Sequence, residues 1–147
     1  MHYKMRDQIR FKIGKEEKNI QEKWIEIPEG TEHIQMMIEM PEEFQYMAFL
    51  FLEDPKKEIR FQKLLGYGQQ NPGIGKSTKD TTIGGVPGEI YPGTWKIGIG
   101  IFTEYVAQKL GEQTGEIVLT VSDRKDVVSD PIGGECWVEN GLHVSEQ

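Results

Sequence analysis

An antiparallel all-β sandwich, jelly-roll-like and of about eight strands, is the fold this sequence predicts. Three observations carry that expectation. Apolar and polar residues alternate, as in Gln8-Ile9-Arg10-Phe11-Lys12-Ile13, and a period of two marks a strand with one buried face. Turn residues are dense, with 17 Gly and 7 Pro in 147 residues, which is too much turn chemistry for a mainly helical chain. No convincing amphipathic helix, internal repeat or heptad pattern competes with the strands.

In chain order, Ile9, Phe11 and Ile13 share one face of the first strand, and Gly14 ends it. Lys15 to Gln21 is polar and charged and reads as a loop. Trp24-Ile25-Glu26-Ile27 is a short strand closed by the Pro28-Glu29-Gly30 turn. His33 to Met40 puts Ile34, Met36 and Ile38 on one face and His33 on the polar, solvated face, before Pro41 breaks it. Tyr46 to Leu52 is a run of seven apolar residues, which fits a central strand covered on both faces. Glu53 to Lys57 is a turn, and Glu58 to Gln62 alternates again. Leu65 to Gly88 is a long Gly-, Pro- and Thr-rich loop with one short extended segment near Thr81-Thr82-Ile83. Loops of that length tend to be functional or mobile.

After the Tyr91-Pro92-Gly93 turn, Trp95, Ile97, Ile99 and Ile101 share a face, and Lys96, Gly98 and Gly100 occupy the other. Bare glycines in a strand let a large ring or another backbone come close. Ala107 to Gly115 reads as a loop, because Gly111 and Gly115 defeat the short helical look of Tyr105 to Leu110. Glu116 to Val121 is the last clear strand. Trp24 and Trp95 are expected in the core. Residues 1–122 are expected to form the sandwich and 123–147 a linker or C-terminal tail.

Charge and composition exclude some functions. Lys and Arg number 17 against 24 Asp and Glu, for a net charge of −7, which disfavours nucleic acid as a partner. One cysteine leaves no disulfide framework within the chain. The longest apolar run falls far short of the ~20 residues of a membrane helix, so no membrane partner is expected. No apolar leader follows a basic start. With a single thiol, that points to a cytoplasmic protein.

The motifs carry little chemistry. Gln70-Asn71-Pro72-Gly73-Ile74-Gly75-Lys76-Ser77 looks like a phosphate-binding loop, but Gln70 stands where the first Gly belongs. The following residues run into Gly84-Gly85 and cannot open the helix such a loop needs. His2, His33, His143 and Cys136 are scattered, so there is no local metal motif and no base beside the thiol. The acid pairs Glu16-Glu17, Glu42-Glu43 and Glu53-Asp54 sit in turns and are expected to be solvated. No catalytic residue, metal ligand or cofactor is assigned. Tyr67, between two glycines of the long loop, and Tyr91, beside the next turn, are the candidate binding residues. Their rings could stack on a sugar or small molecule, or pack on a partner domain.

Three blocks carry a family resemblance. They are Ile27-Pro28-Glu29-Gly30-Thr31 running into Ile34 to Ile38; Leu50 to Pro55 with Arg60 and Gly66-Tyr67-Gly68; and Gly85-Val86-Pro87-Gly88-Glu89-Ile90-Tyr91-Pro92-Gly93-Thr94-Trp95 followed by Gly98 to Phe102. The last, with its Pro-Gly and Pro-Gly-Thr-Trp spacing, is the most specific. Together they resemble the N-terminal β-sandwich of the PHP-type (polymerase and histidinol phosphatase superfamily) metallohydrolases, in the carbaryl-hydrolase-like branch. In that family a Trp-aromatic-x-Gly-Asp-Leu-His-x-His segment then opens a catalytic barrel. Trp137, Leu142 and His143 fall in that register, while Gly141 replaces the acid and Ser145 the second ligand. The resemblance therefore implies a non-catalytic accessory domain, packed on a PHP barrel in cis or in trans, or a degenerate stand-alone relative. The alternative is a stand-alone carbohydrate- or ligand-binding sandwich.

Overall fold

Two antiparallel sheets make up the body of the computed structural model, which describes residues 5–125, 127–133, 138–139 and 142–143. The strands are β1 (Arg6–Ile13), β2 (Ile20–Ile27), β3 (His33–Met40), β4 (Ala48–Glu53), β5 (Ile59–Leu64), β6 (Gly68–Gln70), β7 (Gly73–Gly75), β8 (Gly93–Ile101) and β9 (Gly115–Ser122). One helix, α1 (Thr103–Leu110), joins β8 to β9, and a small separate pair, β10 (Val138–Glu139) and β11 (Leu142–His143), follows. Sheet one runs β1-β9-β3-β6, with β7 also on β3; sheet two runs β2-β8-β4-β5.

β6 and β7 meet β3 in one continuous register, with Met40 opposite Gly68 and His33 opposite Gly75. They are two halves of one strand, parted at Asn71-Pro72, where proline has no N–H for the ladder. Counted so, eight strands pair first with last, second with seventh, third with sixth and fourth with fifth. This is a long hairpin folded over into two layers, the jelly-roll arrangement. The all-β sandwich expected from alternation is the fold observed.

The core lies between the layers. Ile9, Phe11 and Ile13 of β1, Ile34, Met36 and Ile38 of β3, and Ile117, Leu119 and Val121 of β9 line sheet one. Trp95, Ile97, Ile99 and Ile101 of β8, with Leu50 and Leu52 of β4, line sheet two. Each set occupies alternate positions, as the period of two requires.

Several local expectations are corrected. Thr103–Leu110 is helical and not a loop. Gly111, at φ 63°, sits just past the last helical turn, where glycine terminates a helix and does not break one. Val106 is the helix's buried anchor. β4 is not covered on both faces, since Phe49 and Phe51 are only half-buried. The region from Leu65 to Gly88 holds the sixth strand, and the extended segment near Thr82 is reduced to an isolated bridge with Pro131. The segment 127–133 folds back on this region, with Ser129 N–H donating to Asn71 O and Ile132 N–H to Thr81 O.

The glycines of β8 behave differently from one another. A Cβ at Gly98 would lie 2.0 Å from Phe51 Cζ, so the ring rests on bare backbone, whereas nothing stands within 4 Å of a Cβ at Gly100. Gly98→Ala must lift that ring and is expected to lower stability by about 1–3 kcal/mol. Gly100→Ala is expected to be neutral or to stabilise by up to about 1 kcal/mol. Urea denaturation of the two variants checks the contrast.

Candidate functional site

Arg60 organises one end of the sandwich. It lies on β5 and is buried together with Asp54, the residue just past the end of β4. Asp54 Oδ1 accepts the backbone N–H groups of Lys56 (2.8 Å) and Glu58 (3.0 Å), which shapes the turn. Asp54 Oδ2 faces Arg60 Nη1 at 3.4 Å. The guanidinium also donates from Nε to Val86 O (3.1 Å) and from Nη1 to Glu89 O (2.8 Å). Its carbon lies 5.4 Å from the Trp95 ring and 5.9 Å from the Tyr91 ring. Trp95 Nε1 donates to Tyr91 O at 2.7 Å. One side chain therefore ties the Asp54-Pro55 turn, the Val86 to Tyr91 loop and the Trp95 strand together. The paired acid expected to be solvated is instead half of a buried ion pair. A charge there persists only because ion pairing, hydrogen bonds and aromatic faces replace water.

Tyr91 belongs to this assembly, with Lys56 Nζ 4.2 Å from its ring. Tyr67 does not. It is 54% exposed at the bend between β5 and β6. The two rings stand beyond opposite ends of β5, a six-residue strand that spans about 20 Å. They do not form a common platform.

The outer face of sheet two carries an apolar row at one end and charged groups further along. Ile20, Gly100, Phe49 and Leu64 form a row across its four strands, followed by Glu22, Gly98, Phe51 and Gln62, then by Trp24, Lys96 and Glu53. Trp24 is 59% exposed, not core. Its neighbours Ile25 and Ile27 set the parity of β2, and position 24 falls outward with Ile20. Phe102 and Tyr105, from the start of the helix, join Ile20, Phe49 and Gly100 in lining an open groove of about 820 Å³. Ile20 and Phe102 are 59% and 52% exposed. Acids rim this face: Glu22 and Glu53 hold Lys96 Nζ at 3.2 and 3.6 Å, Glu26 accepts from the Thr94 hydroxyl, and Glu104 borders the groove. The Glu22 hydrogen bond is the main reason the Lys96 ammonium is held above its ordinary range.

His33 is a further correction, since it is buried and not solvated. It lies against Gly73 and Gly75, where a Cβ would come within 2.9 and 3.2 Å of its ring. Gln35 donates its amide to Asn71 O and Pro72 O at 3.2 and 3.4 Å, which leaves Gln35 Oε1 facing His33 Nε2 at 2.8 Å. The imidazole N–H is therefore on Nε2, and Nδ1 is buried with no hydrogen-bond partner. Burial lowers the His33 pKa, against the opposing hydrogen bond from Gln35 and the charge of Asp80. Asp80 itself is lowered, chiefly by Lys125.

The glycine-rich stretch resembling a phosphate loop is strand β7 followed by a three-residue 3-10 turn at Thr78–Asp80. No helix opens there. Among the described residues no three His, Cys, Asp or Glu side chains gather where they could hold a metal. His2, Cys136, Trp137, Gly141 and Ser145 lie outside the described residues. No helix among the described residues is long and apolar enough to cross a membrane. Comparison with known families and with curated proteins finds no match to this chain.

Arg60 stands in the sequence only as part of the family resemblance, with no role attached, and Ile20, Phe102 and Tyr105 carry no functional expectation there. A lone Arg between Ile59 and Phe61, shortly after an Asp-Pro turn, was the available sign of the first. Strand parity was the sign for Ile20 and Trp24.

Three outcomes are expected. Arg60→Met leaves Asp54 buried without its partner and lowers stability by about 3–5 kcal/mol. Arg60→Lys restores only part of the loss, because an ammonium cannot reproduce the forked donors; chemical denaturation reads both. For His33, the folded state binds a proton less readily than the unfolded chain. Its contribution is full above the ordinary value near pH 6.5 and drains away as pH falls toward the lowered native value. Asp80 acts in a separate window, full above 3.8. His33→Gln should flatten the loss of stability that begins as pH falls below about 6.5 and leave the more acidic limb of Asp80, below 3.8, in place.

Proposed function

We propose that this chain is a non-catalytic accessory β-sandwich that packs through the outer face of sheet two against the catalytic barrel of a PHP-type metal-dependent hydrolase. The observation that carries this reading is the exposure of Ile20, Leu64, Phe102 and Tyr105 around half-buried Phe49, with Trp24 exposed further along β2. Water-exposed apolar side chains contiguous over a sheet face mark an interaction surface. Aromatic residues of this kind dominate binding when buried by a partner. The acidic rim of Glu22, Glu26 and Glu104 calls for a partner with an apolar centre and basic flanks.

The choice of partner rests on the sequence resemblance. Part of it is supported by contacts: Asp54, Arg60 and the Val86 to Trp95 stretch, some thirty residues further on, meet at the Arg60 guanidinium, while Tyr67 stands apart from them.

The experiment is to mix the purified chain with a separately expressed PHP-type barrel and measure sedimentation and tryptophan emission. A complex with blue-shifted Trp24 emission is expected, and Trp24→Ser or Phe102→Ser should weaken it roughly tenfold or more. Failure to associate, or association unchanged in both variants, overturns the reading. So does saturable glycan binding on this face without barrel binding. Turnover of a generic phosphoester by the chain alone with manganese would overturn its non-catalytic part.

A further inference from the structure

Each sheet of the sandwich has two edges, and all but one of these edges are covered or charged. Along β7, Gly73 N–H donates to Thr82 Oγ1 and Gly75 N–H to Thr81 Oγ1, at 3.0 and 3.1 Å. Gly73 O accepts Thr82 N–H at 2.9 Å and Gly75 O accepts Gly88 N–H at 3.0 Å. Along β5, Gln62 N–H donates to Gly84 O at 3.0 Å and Val86 N–H to Arg60 O at 2.8 Å, so the Gly84 to Val86 stretch covers that strand. The β1 edge carries Arg6, Gln8, Arg10 and Lys12 on its solvent side, and Lys12 O accepts the Gln21 amide at 2.7 Å. Long charged side chains guard an edge against added strands. The β2 edge has no such cover among the described residues. Ile101 N–H donates to Asn19 O at 2.7 Å. Backbone groups of a strand point alternately to its two sides, so positions 21, 23, 25 and 27 face β8. Glu22, Trp24 and Glu26 therefore turn their N–H and C=O groups to the open side. The register with β8 is unbroken from Ile20 to Ile27, with no bulge or proline to deter pairing.

We propose that the Glu22 to Glu26 stretch of β2 binds an extended segment of a partner protein by strand addition, the segment carrying a basic residue two positions to either side of an apolar one. Main-chain hydrogen bonds hold such a segment, and alternate side chains select it. The selecting side chains here are Glu22, Trp24 and Glu26, which share the outer face with their backbone groups aimed outward. The rows across sheet two that contain them hold three carboxylates, of Glu22, Glu26 and Glu53, against the single ammonium of Lys96. Lys96 is shared by Glu22 and Glu53, while Glu26 accepts only the Thr94 hydroxyl. An excess of negative charge remains around an exposed Trp24. Directly opposed residues on an added strand gain from opposite charges and from aromatic–aliphatic contact. Lys or Arg therefore belongs opposite Glu22 and Glu26, and an apolar residue opposite Trp24. Lys23, on the other parity and 5.8 Å from the Phe11 ring, asks for an uncharged residue between them. A second copy of β2 does not meet these demands. Antiparallel pairing centred on Trp24 sets Glu22 against Glu26, and pairing centred on Lys23 sets two ammonium groups face to face; both are repulsive. This inference does not rest on the barrel reading. The two share Trp24, but packing on the face leaves the outward backbone amides of β2 unpaired, whereas strand addition pairs them.

The test uses the full chain, isotopically labelled, and the capped peptide Thr-Lys-Thr-Val-Thr-Lys-Thr, with amide hydrogen exchange as the readout. At peptide concentrations up to about 5 mM, exchange at Glu22, Trp24 and Glu26 is expected to slow about fivefold or more. Lys23 and Ile25, already bonded to β8, should change little. The effect should weaken as sodium chloride is added. Methylating the valine nitrogen removes an N–H that faces β2 and leaves every side chain in place, so it should abolish the protection without any change to the protein. Exchanging both peptide lysines for glutamate, or Glu26→Lys in the chain, should weaken binding about three- to tenfold, while Glu43→Lys leaves it unchanged. Exchange that does not respond, equal protection by the methylated peptide, or binding indifferent to both charge reversals would overturn the proposal. Protection that rises with protein concentration alone, with a dimer in sedimentation, would also overturn it by making a second copy the occupant. Association with a barrel that leaves these amides unprotected, together with no response to the peptide, removes strand addition and keeps the accessory reading; peptide protection without barrel association does the reverse.

Discussion

Trp95, Ile97, Ile99 and Ile101 point into the same core as Ile34, Met36, Ile38, Ile117, Leu119 and Val121, and all of them are essentially without solvent contact. This burial of every second side chain between two layers governs the rest of the molecule. A strand that commits one parity to the core has no freedom over the other parity, since a slip by one residue would exchange the two faces. Ile25 and Ile27 thus force Trp24 outward. Ile34 and Met36 force His33 and Gln35 onto the opposite side, and Val121 does the same to Ser122. The surfaces on which any function must be built are by-products of the packing that stabilises the fold.

The ends of the sandwich need other devices, because strands stop there and backbone groups lose their partners. At one end the Arg60 guanidinium supplies donors to Val86 O and Glu89 O while Asp54 organises the adjacent turn. A buried ion pair contributes less to net stability than its contacts suggest. Its value here is geometric: it sets the path of the loop leading into β8 and holds Tyr91 and Trp95 against a single cation. Elsewhere, Val106 on the short helix and Phe44 join the same core. Phe44 reaches so close to Gly115 that a Cβ there would stand 2.6 Å from its ring.

The two outer faces differ in kind. Sheet two shows aliphatic and aromatic side chains with a carboxylate rim. Sheet one, at the end where β9 leaves it, shows polar groups beneath Arg6, Arg124 and Lys125. A two-layer fold can keep such surfaces apart because its hydrophobic core lies between them.

How much of this was legible without coordinates depends on the range over which each feature is decided. The two-layer class, the inward faces of β1, β3, β8 and β9, and the close approach of a ring to Gly98 follow from alternation and from missing side chains. These are properties of a few consecutive residues. Helix α1 was obscured because a glycine read as a breaker is, in place, a terminator. The meeting of Arg60 with Val86, Glu89 and Trp95 and the burial of His33 under a glycine strand could not be read locally. They depend on which strand lies beside which, and first-with-last pairing brings together residues more than a hundred positions apart, as with Arg6 and Ser122. By itself the sequence determined the two-layer class and the apolar faces that the long alternating strands turn inward, but not the fate of Trp24, His33 or Asp54. Only the tertiary structure decided which of the other side chains meet, because contact across strands is set by register and topology and not by neighbourhood along the chain.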